Sequence, residues 1–315
     1  MKVQSLKPRR HKTRAELGKL VTEQVNQSAA DLDLKSSLEM ARVMNSEDAK
    51  VADTVTRALP QIARAINLIA TCLKRGGRLI YVGAGTSGRI AALDAAECQP
   101  TFNIDPRTVQ FVIAGGVKAL SEAAEASEDS RELGTREIAK KKPGKNDVVV
   151  GIAASGRTPF TVAAIQSARR HGAQTIAVTC NRNSPLEKAA HFAIVTEVGP
   201  EVISGSTRLK AGTAQKMVLN MLSSGAMIRL GYVYGNLMVN LHLKNEKLIE
   251  RGVSILQRAA GVGREEAVRT LKSAGNDVPT ALVMLQAEVG QKEARRALHA
   301  ASGNVRRAIA AARGL

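Results

Sequence analysis

The chain is poor in aromatic residues: three tyrosines, four phenylalanines and no tryptophan among 315 residues. A platform that stacks single-stranded nucleic acid on successive rings is therefore poorly supplied. Cysteine is scarce too. Cys72, Cys98 and Cys180 are odd in number and far apart, and fit neither a disulfide framework nor a Cys-x-x-Cys metal pattern. They read as small buried hydrophobes. The five histidines (His11, His171, His191, His242, His299) show no ligand spacing, so no metal is expected. No Gly-x-Ser-x-Gly elbow is present, which leaves Ser-His-Asp catalysis without a motif. No apolar run reaches the length of a membrane span. The basic stretch 1–19 lacks the apolar core of a signal peptide, so a cytoplasmic location is expected. Acidic charge is also short: 28 Asp and Glu against 46 Lys and Arg, a net +18. The excess is spread along the chain, with clusters only at Lys7 to Arg14 and Lys140 to Lys145. It reads as solvated surface able to steer anions, and nucleic-acid binding is not expected.

What is present is glycine and hydroxyl in two matching places. Leu79-Ile80-Tyr81-Val82 runs into Gly83-Ala84-Gly85-Thr86-Ser87-Gly88-Arg89. Val148 to Ala154 runs into Ser155-Gly156-Arg157-Thr158-Pro159. Each reads as a buried strand feeding a loop that opens a helix. Backbone N–H groups and the helix dipole favour an anion there, most often a phosphate. Two such loops in one sheet suggest a phosphorylated small molecule held from two sides.

The first loop satisfies Gly-x-Gly-x-x-Gly, but the dinucleotide reading also needs an acid closing the next strand. Strand 109–114 ends instead in Gly115-Gly116, and Asp105 precedes it. A sugar phosphate fits better. Both loops carry Ser-Gly-Arg, at 87–89 and 155–157; the ordinary fate of such arginines is an ion pair, and of such hydroxyls a helix cap. A third polar segment, Ser204 to Lys216, opens a long helix with Arg208 and Lys210 near its start. It is either a capped helix with solvated lysines or a further anion site.

Strand and helix alternate from Leu79 to Val198, with strands expected at 79–83, 109–114, 147–153, 175–180 and 192–198. That pattern predicts a mostly parallel sheet with helices on both faces. Helices precede it, one starting at Ser46-Glu47-Asp48 and one opened by Pro60. Glu97 is expected to end the helix after the first loop, with Pro100 enforcing the stop. A carboxylate there opposes the helix dipole, a local misfit that hints at function. Glu125, Glu128, Asp129 and Glu132 form an acidic group after the second strand, otherwise a solvated face. A helix is expected from Gly235 to Arg251. The last segment carries a weak repeat at an offset of 27 residues, Ala267 to Ala294, and predicts two small helical hairpins.

Together these segments resemble the N-acetylmuramic acid 6-phosphate etherases, built on the sugar isomerase (SIS) fold. The matching blocks are Met44 to Asp48, Leu79 to Arg89, Leu93 to Pro100, Ala124 to Arg131, Val148 to Pro159, Ser204 to Asn220 and Tyr234 to Leu248. The resemblance implies an α/β SIS-type three-layer sandwich with a mostly parallel sheet. It adds N-terminal helices and a small all-helical, UBA-like C-terminal domain. The expected division is a flexible tail at 1–19, a sugar-phosphate domain at 20–250 and the helical domain at 251–315. The implied reaction releases D-lactate from N-acetylmuramic acid 6-phosphate by elimination across C2–C3 and then hydration, leaving N-acetylglucosamine 6-phosphate, with no cofactor.

Carried onto this sequence, the resemblance makes Glu97 the general acid and Glu128 the C2 base. Thr86, Ser87, Gly88, Ser155, Gly156, Arg157, Thr158, Arg208 and Lys210 would hold the sugar phosphate. It also implies a homodimer, with Asn245, Glu246 and Lys247 offered to the neighbouring site. Departures are the longer basic N-terminal stretch, Gln99 where proline is common and Ser37 where threonine is usual. The alternative is a non-catalytic sugar-phosphate-binding regulator of the same fold.

Overall fold

A computed structural model describes residues 20–243 and 245–314. The expected basic tail at 1–19 lies outside the described residues. Five strands form one wholly parallel sheet: β1 (Leu79–Gly83), β2 (Val109–Ile113), β3 (Val148–Ile152), β4 (Gln174–Thr179) and β5 (Phe192–Val195), in the order β2-β1-β3-β4-β5. The near-continuous Val and Ile runs fit this, because a parallel sheet is buried on both faces. Alternate residues of β1 show the two-residue period. Leu79 and Tyr81 enter one core, Ile80 and Val82 the other.

The first core lies under α1 (Ser37–Arg57), α2 (Leu59–Lys74), α3 (Gly85–Phe102) and α8 (Lys210–Leu230). The second lies under α5 (Arg131–Lys140), α6 (Pro159–Arg170) and α7 (Pro185–Ala189), which follow the four-residue α4 (Glu125–Glu128). A third core gathers Val239 to Ile309. It is built by α9 (Glu246–Ala260), α10 (Arg264–Ser273), α11 (Val278–Ala287), α12 (Gln291–Ala300) and α13 (Val305–Ala312). Ala267, Leu271, Val278 and Leu282 are buried there, as are their repeat partners Ala294, Leu298, Val305 and Ile309. That core starts upstream of the boundary drawn at residue 251.

Three local expectations need correction. Ser46 does not start a helix. It lies inside α1, where its hydroxyl donates to the Val43 carbonyl at 2.8 Å. Ser36 starts α1 with a capping box, Glu39 closing back on the Ser36 N–H, and a reciprocal cap satisfies two end donors where a lone hydroxyl satisfies one. Pro100 does not stop α3, which runs on to Phe102 and closes at Asn103 in the left-handed region (φ 52). Residues 234–243 are irregular, and the helix expected from Gly235 begins only at Glu246, capped by Asn245.

Candidate active site

The strand order reverses between β1 and β3, since β2 lies to one side and β4 to the other. In open parallel sheets the crevice outside the carboxyl ends at such a switch point is where ligands bind. Both glycine loops open there. The N-termini of α3 and α6 carry no side-chain cap, so their first-turn N–H groups are available to an anion.

Close packing brings α3 down onto the sheet. A Cβ on Gly88 would come within 2.5 Å of Ile113, and one on Gly156 within 2.3 Å of Ser184 Oγ. Both glycines are buried, and their absent side chains leave room for the side chains of Ile113 and Ser184 to pack against them. Thr86 sits beside α8, 3.5 Å from where a Cβ of Gly212 would be. The Ser87 hydroxyl donates to Gln215 Oε1 at 2.9 Å. Ser155 Oγ accepts the Arg157 N–H at 3.1 Å, and Thr158 precedes Pro159 at the start of α6.

Arg89 does not face a ligand. Its guanidinium donates to the carbonyls of Ala119, Leu120 and Glu122 at 2.8–3.2 Å. It thereby pins the loop that leads into α4. The result is visible at Glu128, whose carboxylate Oε1 stands 2.8 Å from where a Cβ of Gly85 would be. Gly85 thus leaves space for a carboxylate at the mouth of the first loop. Burial, then the charges of Asp129 and Glu125, push the Glu128 carboxyl above its ordinary value, against the pull of Arg89. A carboxylate so placed is a stronger base than a solvated one.

At the third polar segment the helix start is met by a protein carboxylate. Glu201 is fully buried and accepts from the backbone N–H groups of Lys210 at 3.0 Å and Ala211 at 2.9 Å. A protein carboxylate therefore already occupies the N-terminus of α8. Lys210 is buried, and its ammonium lies 2.6 Å from Glu47 Oε2. Arg208 is exposed. Among the described residues no hydrogen bond joins Arg208 or Lys210 to the two glycine loops. Asn245 uses its side chain to cap α9, with Glu246 and Lys247 exposed in its first turn.

Sequence reasoning missed Gln215 and Glu201. Gln215 acts through Ser87, 128 residues away in sequence, and Glu201 through backbone N–H groups, which leave no mark in residue type. Gln215 is 1 % exposed. With Oε1 taken by Ser87, its Nε2 has no hydrogen-bond partner among the described residues.

Glu97 is exposed, beside a groove shared with Leu93, Lys216 and Asn220. It lies one turn past Asp94, which is held by Tyr81 Oη at 2.8 Å and Ser223 Oγ at 3.1 Å. Burial raises the Asp94 carboxyl, and these hydrogen bonds offset it only in part. The structure does not bring Glu97 to Glu128. Glu97 is 12 residues along α3 from Gly85 (85 to 97), or about 18 Å at 1.5 Å per residue.

Comparison with known proteins decides the family. Residues 61–169 match the glucokinase regulatory protein N-terminal SIS domain, and residues 140–224 match the SIS domain. The N-acetylmuramic acid 6-phosphate etherase of Symbiobacterium thermophilum is 56% identical over 275 residues, 87% of this chain and 91% of that protein. That of Clostridium beijerinckii is 49% identical over 293 residues, 93% of this chain and 96% of that protein. The chain belongs to the N-acetylmuramic acid 6-phosphate etherase family. A solved phosphoheptose isomerase from Francisella tularensis aligns with a TM-score of 0.49 at 17% identity, covering 62% of this chain and 100% of that one. The etherase blocks Leu79 to Arg89 and Val148 to Pro159 are the two loops at the switch point. The etherase block Ala124 to Arg131 contains Glu128. Among the described residues no helix is long and apolar enough to cross a membrane.

Proposed function

We propose that the chain cleaves the lactyl ether of N-acetylmuramic acid 6-phosphate by elimination and hydration, giving N-acetylglucosamine 6-phosphate and D-lactate. The carrying observation is the Glu128 carboxylate held at Gly85, in the mouth of the first glycine loop. The aldehyde of the open-chain sugar acidifies the proton on C2. Glu128 takes that proton, the electron pair forms the C2–C3 double bond, and the C3–O bond to lactate breaks. The leaving alkoxide takes a proton from Glu97. Water then adds at C3, its proton and hydroxide restoring a saturated sugar.

Glu128 reaches Gly85 of the first loop, and the phosphate is assigned to Ser155, Gly156, Arg157 and Thr158 of the second loop with Thr86 and Ser87 of the first. Binding there orients C2 toward the base. Gln215 Nε2 supplies a further donor. Its substitution by leucine is expected to raise the KM for the phosphorylated sugar about tenfold, the loss of roughly one hydrogen bond to a charged group. An unchanged KM in a folded Gln215→Leu protein would remove Gln215 from the site.

The proposed working unit is a cytoplasmic homodimer, to which the exposed Glu246 and Lys247 are available. The purified chain given N-acetylmuramic acid 6-phosphate is expected to release D-lactate, with the unphosphorylated sugar a poor substrate. Tight binding of sugar phosphates without lactate release would instead favour the non-catalytic regulator.

A further inference from the structure

A cavity of about 880 Å³ opens at the opposite end of the sheet from the glycine loops. Arg78 and Thr108, the residues just before β1 and β2, line its floor. A five-residue strand, about 17 Å of chain, separates that floor from the loops. The C-terminal ends of α2 and α8 form two walls, and residues between Ala301 and Arg307 form a third. This third wall is docked closely. Gly231 ends α8 without a side chain, and a Cβ there would lie 2.4 Å from Asn304 Nδ2. The volume is that of a site for a small organic molecule.

Seven Lys and Arg side chains line the cavity, against one carboxylate, Asp105. Four of the seven are engaged. Arg78 is held by Asp147, Arg107 by Asp105, Lys140 by Glu137 and Lys141 by the Gln110 amide oxygen. Lys74, Arg229 and Arg307 are exposed, and their side chains have no hydrogen bond or ion pair among the described residues. Lys74 and Arg229 complement the negative ends of the α2 and α8 dipoles. Arg307 has no such reason to be there. It stands in the first turn of α13, at the positive end, where a cation is disfavoured. A cleft lined by one sign of charge concentrates counter-ions of the other. Leu73, Leu230 and Tyr232 add an apolar wall.

We propose that this cavity binds a polyphosphate chain bridging Lys74, Arg229 and Arg307, at a site separate from the crevice of the two glycine loops. A single phosphate neutralises one or two of these cations. A chain of phosphates spans all three, which come from three different helices. The chain is carried by a nucleoside, whose body then rests on Leu73, Leu230 and Tyr232, or it is inorganic. The proposal does not depend on the reaction at the crevice.

Calorimetry on the full chain, at about 0.15 M salt and without divalent metal, compares ATP, inorganic tripolyphosphate, adenosine and inorganic phosphate. At least one of the two polyphosphates is expected to bind, one per chain, about tenfold or more tighter than phosphate or adenosine. ATP binding the tighter of the two names the nucleoside source; tripolyphosphate binding as tightly or more so names the inorganic one. Arg229→Glu and Arg307→Glu each reverse an exposed charge. Each should weaken binding about tenfold or more, through the loss of a hydrogen bond to a charged group, with the thermal unfolding midpoint of the unliganded chain near that of the wild type. Lys74→Glu repeats the measurement from α2 should either of those chains fold poorly. The proposal is overturned if neither polyphosphate binds, if phosphate alone binds as tightly, or if affinity survives the charge reversals. It is also overturned if N-acetylglucosamine 6-phosphate, added to fill the crevice, abolishes the binding.

Discussion

Glu128→Gln is expected to abolish exchange of the sugar's C2 proton with solvent and to slow D-lactate release about 10²–10⁴-fold, the range supplied by a positioned general base. The amide keeps the size of the side chain, so binding of N-acetylglucosamine 6-phosphate should persist. The pH profile carries a second signature. The Glu128 carboxyl is raised by burial and by Asp129 and Glu125, and a base works only when deprotonated. The acid limb of kcat should therefore rise with pH at a value above that of an ordinary glutamate. Asp129→Asn removes one of the raising charges and should move the limb down; Arg89→Gln removes the lowering charge and should move it up. Normal C2 exchange in Glu128→Gln would assign the base elsewhere.

The sheet was legible because its signals are local. Val148-Val149-Val150 announces a buried strand, and β1, β2 and β3 each run into a loop that carries glycine. The C-terminal hairpins were legible as a repeat, since Ala267 and Ala294 occupy equivalent buried positions. Helix ends were less so. Ser46-Glu47-Asp48 looks like a cap by composition, yet Ser36 and Glu39 supply the reciprocal pair, and the helix propagates through Ser46. Asn103 adopts the left-handed conformation that ends α3, a role that Pro100 suggests from sequence but does not perform.

At the site, what failed to show was who partners whom. Lys210 near a helix start looks like an anion ligand until Glu47, 163 residues away in sequence, is found on it. Arg89 and Arg157 carry the same triplet, but Arg89 spends its donors on the carbonyls of the loop before Glu128. Glu97 was expected to end α3, but the helix runs past it to Phe102. Its distance from Glu128 was not legible either, because that follows from Glu128 folding back to the start of α3.

Replacing Glu47 is expected to produce the largest loss of stability outside the hydrophobic cores. Glu47 and Lys210 are 4% and 2% exposed and join α1 to the start of α8. Burial raises the Glu47 carboxyl, but hydrogen bonds from Lys210, Lys50 and Asn26 outweigh it and leave it at about 2. Removing one member of a buried pair strands the other and costs about 3–5 kcal/mol. The two members are not equivalent. Glu47→Gln strands the Lys210 ammonium, which has Glu47 as its hydrogen-bond partner. Lys210→Met leaves Glu47 with Lys50 and Ser28 and should cost less. The double variant Glu47→Gln with Lys210→Met should be more stable than Glu47→Gln alone, since no buried charge is left unpaired. The pH dependence follows from the sign. A carboxyl held below its unfolded value of 4.5 contributes stability that is present above that pH and is lost as pH falls toward 2. Urea denaturation at pH 7 and through that acidic window should show the wild type losing part of its advantage over Glu47→Gln as the pH falls. Equal stabilities at pH 7, or a double variant weaker than both single ones, would mean that the Lys210 ammonium is solvated and the pair is not what fixes α8 against α1.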